Sequence, residues 1–182
     1  KPKPGSEVIV PAATFTTVIS PILQNGLVPV FVDVEMDTYN ICPKSIEEAI
    51  TPRTGLIMVV HTLGCSAKMD KIMELSETFN IPVLEDCCEA HGSAMNNKKV
   101  GSFGLISTWS FFVAHNMTTG EGGMILTNDE ELDEMLRSVR EFGRLTKYEK
   151  NKPRFYYTDE QLKDYDERYV FTNVGYNLRM TD

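Results

Sequence analysis

A chain of 182 residues, 42% hydrophobic and 24% charged, is long enough to bury one sizeable core and reads as a single globular domain. Its 18 basic and 26 acidic residues leave a formal charge of -8, which excludes a general electrostatic grip on nucleic acid or an anionic membrane, so an anionic ligand needs local donors. The sequence has neither a long apolar run nor a signal-peptide pattern in KPKPGSEVIV, so the expectation is a cytoplasmic protein without a membrane span.

In chain order, EVIVPAA reads as a strand and is followed by an apolar stretch to Gly26. VPVFVDV, SIEEAI and GLIMVVHT continue the alternation of strand-like and helical patterns, then a helix runs from about Met69 to Asn80 and IPVLEDC forms another strand. Short β-rich runs of this kind, buried on both faces and alternating with helices, predict an α/β fold with a mostly parallel mixed sheet flanked by helices. Ligands of such sheets gather beyond the carboxyl ends of the strands, and Asp86 stands at the end of PVLED. After Gly92 come LISTWSFF and GGMILT as short strands, then a helix from Asp129 to Phe142. Asn128 is expected to cap it with Glu131 three residues on, and Gly143 to close it. Residues 144 to 170, charged and aromatic but poor in aliphatics, read as a surface excursion.

Cys42, Cys65, Cys87 and Cys88 lack a repeated spacing and are expected to be reduced thiols. CCEAH offers ligand types for a metal, but without a second cluster the spacing argues for buried small residues, so no metal site is expected. Asp86 has two readings. A carboxylate at the tip of a buried strand suits a protonated pyridine nitrogen, which it keeps charged so that the ring serves as an electron sink; it also suits a turn or helix cap. TTGEGG is a loop of small residues whose amides can approach a phosphate, or a tight turn between two strands; it lacks the ending of a P-loop.

These pieces together resemble the DegT/DnrJ/EryC1/StrS sugar aminotransferases, fold-type I enzymes of pyridoxal phosphate. The resemblance rests on KPGSEVIVPAATFTT, PVFVDVEMDTYNI, VLEDCCEAHGS, GSFGLISTWSFFVAHNMTTGEGGMILTND and VGYNLRMTD, which occur in the family's order. It implies that Asp86 pairs with the pyridine nitrogen, Glu89 lies near the ring hydroxyl, Ser110 binds the phosphate, and Asn177 reaches the phosphate of a neighbouring subunit in a homodimer. In ordinary members a Schiff-base lysine stands five residues after the serine; here that position is His115. Imidazole cannot form that link, yet it moves protons near neutral pH. The substitution resembles a branch of 3-dehydratases that act on nucleotide-linked 4-keto-6-deoxy sugars for deoxysugar and surface-polysaccharide synthesis. There the cofactor is held as pyridoxamine phosphate and the histidine takes a proton while the C3 hydroxyl leaves.

Within that branch one type carries an iron-sulfur cluster with cysteines just after a Gly-Arg pair equivalent to Gly143 and Arg144. GRLTKYEKNKPRF has no cysteine, and Cys88 alone cannot supply four ligands, so no cluster is expected. The chain is therefore similar to the GDP-4-keto-6-deoxymannose 3-dehydratases, which reset the cofactor with glutamate, although RYVFTNVGYNLRMTD is nearer to the cluster type. The chain opens without an initiator Met and stops at Asp182 inside a motif. By the resemblance, residues 1–182 are the central part of the cofactor-binding large domain, with an amino-terminal segment and a carboxyl-terminal small domain outside it. Two other readings remain: a non-catalytic or truncated relative that keeps the fold for assembly, or an aminotransferase served by another lysine, for which Lys98 and Lys99 in a polar turn are poor candidates.

Overall fold

The computed structural model describes residues 2–146 and 159–179. It divides into two compact units, residues 1–126 and 127–182. Part of the surface excursion expected at 144–170, residues 147–158, lies outside the described residues.

The first unit is built on β1 (Glu7–Pro11), β2 (Val28–Val32), β3 (Thr54–Val60), β4 (Val83–Asp86), β7 (Ile106–Ser110) and β8 (Gly123–Thr127), which runs to the unit boundary. The sheet order is β2-β1-β3-β4-β7-β8. Every pairing from β2 across to β7 is parallel, as the alternation of strands and helices requires. Between them lie α1 (Thr16–Gln24), α2 (Pro43–Ala49) and α3 (Met69–Phe79).

Helices cover both faces. On one, Val8 and Val10 of β1 pack with Val18 and Ile22 of α1 and with Leu56, Met58 and Val60 of β3. On the other, Ile9, Ile57, Val59 and Val83 pack with Ile46 of α2 and Met69 and Ile72 of α3. This two-sided burial is why residues 8–11 of β1 read as an unbroken apolar run; each fully buried Val or Ile contributes on the order of 2 kcal/mol. It also sets the site's polarity: Val83 and Glu85 share the α2/α3 face, so Leu84 and Asp86 take the α1 face.

Three expected boundaries shift. Lys98 and Lys99 are not turn residues: they form β6 (Lys98–Lys99), paired antiparallel with β5 (Ala94–Met95). The turn itself is Asn96-Asn97, both with positive φ of 49° and 63°, the conformation a two-residue hairpin loop demands. The helix of the second unit, α4 (Glu130–Arg140), is capped by Asp129 and not Asn128: Asp129 Oδ1 accepts from Leu132 N at 2.9 Å. An anionic acceptor at a helix amino terminus outcompetes the neutral amide one residue earlier, and Glu131 then falls in the first turn. The helix ends at Arg140, two residues short of Phe142, yet Gly143 does close it: at φ 85° its N–H donates to Ser138 O at 2.8 Å. The end of α3 lies where expected, with Asn80 left-handed at φ 51°. The four cysteines are free. No helix among the described residues is long and apolar enough to cross a membrane.

Candidate active site

Asp86 ends β4, opposite Thr108 of β7 in a parallel register. Ser110, the last residue of β7, lies two further along, so Asp86, Thr108 and Ser110 share the α1 face at the carboxyl end of the sheet. Oδ1 of Asp86 accepts from Cys88 N at 3.0 Å. Burial first, and then the hydrogen bond to Asp86, push the Cys88 thiol well above its ordinary range, so it stays protonated and donates to that carboxylate. The turn role weighed for Asp86 is thus present. It leaves a half-buried carboxylate at a strand end that forms no ion pair among the described residues.

Neighbouring loops are tied together beside it. Glu89 is exposed and its Oε2 accepts from Leu63 N at 2.7 Å, holding a turn in which Leu63 is left-handed at φ 52°. Ser93 Oγ donates to Gly64 O at 2.6 Å in the same turn. Buried Asn40 braces it from the far side, accepting from Thr62 N at 2.9 Å and donating to Cys65 O at 3.0 Å. Asn40 is a site-building residue that the sequence reading missed.

His115 lies in the connection between β7 and β8, residues 111–122, which is a closed loop and not a tight turn. Its root is fastened by Phe111 N donating to Gly122 O and Thr119 N donating to Phe111 O, both at 2.9 Å. Ser110 Oγ accepts from Phe112 N at 3.2 Å, and His115 N donates to Phe112 O at 3.0 Å. The His115 ring stands edge-on to Phe112 at 6.1 Å.

The strongest polar network near the site was not anticipated. Glu85 is fully buried on the face opposite Asp86. Oε1 accepts from Phe103 N at 2.8 Å and Gly104 N at 2.6 Å; Oε2 accepts from Gly101 N at 2.7 Å and His61 Nε2 at 3.1 Å. Nδ1 of His61 in turn accepts from Ala67 N at 3.1 Å, which fixes the tautomer with the proton on Nε2. Burial pushes the Glu85 carboxyl up, but the His61 and backbone donors outweigh it and hold the carboxyl below the usual range. His61, Glu85 and Cys87 bring ligand-type atoms within 4.8 Å of one another. Both ring nitrogens and all four acceptor positions of the carboxylate are already engaged, so the cluster works as a structural hub. Its signal in the sequence was an acidic residue inside a strand otherwise buried on both faces.

Buried polar atoms in folded proteins are nearly always paired. Among the described residues of the first unit, three side-chain atoms are buried without a partner: Thr14 Oγ1, His91 Nε2 and His115 Nδ1. They follow β1, β4 and β7 respectively, each in the segment that leaves the carboxyl end of a parallel strand. A polar ligand beyond the sheet end, with Asp86 and Ser110 at its rim, fits this set of donors and acceptors. In the second unit Asn177 is exposed and its Oδ1 accepts from Arg179 Nε at 3.3 Å.

Comparison with known proteins bears on this geometry. The sequence model of the DegT/DnrJ/EryC1/StrS aminotransferase family matches residues 1–182. A dTDP-4-dehydro-2,6-dideoxy-D-glucose 3-dehydratase of Saccharopolyspora spinosa is 44% identical over 186 residues, 99% of this chain and 40% of that protein. A dTDP-3-amino-3,6-dideoxy-alpha-D-galactopyranose transaminase of Aneurinibacillus thermoaerophilus is 47% identical over 146 residues, 80% of this chain and 40% of that protein. Among solved structures, a GDP-4-keto-6-deoxymannose-3-dehydratase with a trapped PLP-glutamate geminal diamine superimposes with a TM-score of 0.86 at 39% identity, over 97% of this chain and 45% of that one. The chain thus spans less than half the length of these relatives.

Proposed function

This chain belongs to the DegT/DnrJ/EryC1/StrS aminotransferase family, and from that premise we propose that the complete protein is a pyridoxamine-phosphate-dependent 3-dehydratase of a nucleotide-linked 4-keto-6-deoxy sugar. The observation that carries the reading is His115: an imidazole with a buried, unpartnered Nδ1, five residues after Ser110, in a loop (residues 111–122) that contains no lysine. Bound here, the cofactor supplies an electron sink for breaking the sugar's C3–O bond. Asp86 holds a proton on the ring nitrogen by offering it a carboxylate. Glu89 would face the ring hydroxyl, Ser110 would orient the phosphate, and Asn177 would serve the phosphate of a partner subunit. His115 takes and returns the proton that the chemistry moves, and it leaves the cofactor's amine free for the sugar ketone. Glutamate is the proposed amino donor that resets the cofactor, as its capture with PLP in a related dehydratase supports.

The rival reading, an ordinary sugar aminotransferase, draws on the transaminase relative. It needs a lysine at the cofactor, and the two candidates weighed are engaged elsewhere: Lys98 Nζ stands 4.4 Å over the Phe103 ring and Lys99 Nζ donates to Gly92 O at 2.7 Å.

The complete protein, given pyridoxal phosphate, glutamate and a 4-keto-6-deoxy nucleotide sugar, is expected to yield a product lacking the C3 oxygen, read by mass spectrometry and NMR. A 4-amino sugar that keeps its C3 hydroxyl as the sole product overturns the reading. Borohydride should leave no cofactor bound to residue 115, whereas His115→Lys should create that link. His115→Asn should retain cofactor and lose deoxygenation by roughly a hundredfold or more, the range for removing a general base.

A further inference from the structure

We propose that His91 is a positioning residue for the loop that carries His115, acting through Asn116; the inference rests on the reading of His115 as the group that moves the proton. Nδ1 of His91 lies 3.3 Å from Asn116 Oδ1. An amide oxygen can only accept, so Nδ1 carries the proton and donates. The ring stands edge-on to Trp109 at 5.1 Å and tilted against Phe111 at 6.0 Å. Trp109 is itself anchored in β7, where its Nε1–H donates to Ser107 Oγ at 3.1 Å. His91 is thus clamped by a strand and presents a donor to the residue adjoining His115.

That contact matters because, among the described residues, the other hydrogen bonds of the 111–122 loop lie within the loop or at its root. The bonds of Phe111, Gly122 and Thr119 close its root, and Ser110 Oγ accepts from Phe112 N. Among the described residues, His91 makes the side-chain hydrogen bond that reaches the middle of the loop from another segment. A proton acceptor misplaced by a fraction of an ångström loses rate without losing ligand affinity, so the site of a positioning residue is where such a tie belongs.

The test uses the complete, cofactor-loaded protein. His91→Phe keeps an aromatic ring against Trp109 and removes the donor; Asn116→Ala removes the acceptor from an exposed position. Three quantities are read: the rate at which diethylpyrocarbonate modifies His115, followed by peptide mass spectrometry, and kcat and KM for deoxygenation. Both variants are expected to change the modification rate of His115 several-fold and to lower kcat about tenfold while KM stays within about twofold. The double variant should be no worse than either single one, and His91→Gln, whose amide also donates, should recover most of the rate. Unchanged modification of His115 in Asn116→Ala, or additive losses in the double variant, overturns the proposal. If the wild-type protein removes no hydroxyl, the dehydratase reading falls, and the modification rates still decide the role of His91.

Discussion

Glu85 and Asp86 are consecutive carboxylates with opposite situations, because a strand sends neighbours to opposite faces. Glu85 meets four donors in a fully buried setting, whereas Asp86 meets the donors of Cys88 at the sheet's open end. The Glu85 carboxyl titrates below its ordinary range, so its folded-state value is depressed relative to the unfolded chain. Its contribution is then present above the ordinary carboxylate range and is lost as pH falls through the folded-state value. Urea midpoints measured from pH 7 down to pH 3 should fall steeply for the wild type, and less steeply for Glu85→Gln. At neutral pH the same variant leaves backbone donors mismatched and should cost about 3 kcal/mol or more. A variant as stable as the wild type at pH 7 would remove the hub from the account. Sequence inspection chose Asp86 for its place at a strand tip and passed over Glu85, whose donors at Gly101, Phe103 and Gly104 lie 16 to 19 residues away.

At the scale of elements, the start of α4 separates local propensity from actual geometry. Asn128 and Asp129 are both good caps, and the side chain that accepts from Leu132 N belongs to Asp129. Asp129→Ala should therefore cost about 1 kcal/mol in chemical denaturation, and Asn128→Ala no more than about 0.5; the reverse order would restore the earlier cap. The turn before β7 has a stricter requirement. A Cβ on Gly104 would lie 2.5 Å from Val83 O, a backbone atom that cannot yield without moving β4. Gly104→Ala should lower the denaturation midpoint and weaken cofactor binding together, since the same shift displaces Asp86 and Ser110. Retained midpoint and affinity would show that β4 and β7 tolerate the displacement.

For the whole molecule, the consequence of a shared site is complementation between subunits. If Asn177 serves the neighbour's phosphate and His115 its own site, then Asn177→Ala and His115→Asn are each nearly inactive alone. Refolded together in equal amounts they should recover about a quarter of wild-type activity, because half the dimers pair the two variants and each of those has one intact site. Sedimentation should show a dimer of the complete protein with cofactor bound. Persistent inactivity of the mixture, in dimers shown to exchange, would place both residues in one subunit's site.

What the sequence determined by itself was whatever depends on near neighbours or on a pattern carried along the chain. The alternation of apolar runs and helical patterns sufficed for a parallel sheet with helices on both faces, because burial on two sides leaves no polar side chain at residues 8–10 of β1 or 56–60 of β3. The place of Asp86 at a strand end was legible from the residues themselves, Ser110 and His115 stood out only through the resemblance, and the approximate end of α3 at Asn80 and the closing role of Gly143 were legible from the local pattern. Tertiary structure alone decided which faces those strands present, and so parted Asp86 from Glu85. It alone joined His61 to Glu85, Asn40 to the turn after β3, and His91 to Asn116, pairs or groups 22 to 25 residues apart. Hydrogen bonds across such separations leave no periodic trace, because their partners are chosen by the register of strands and the closing of loops and not by any spacing along the chain.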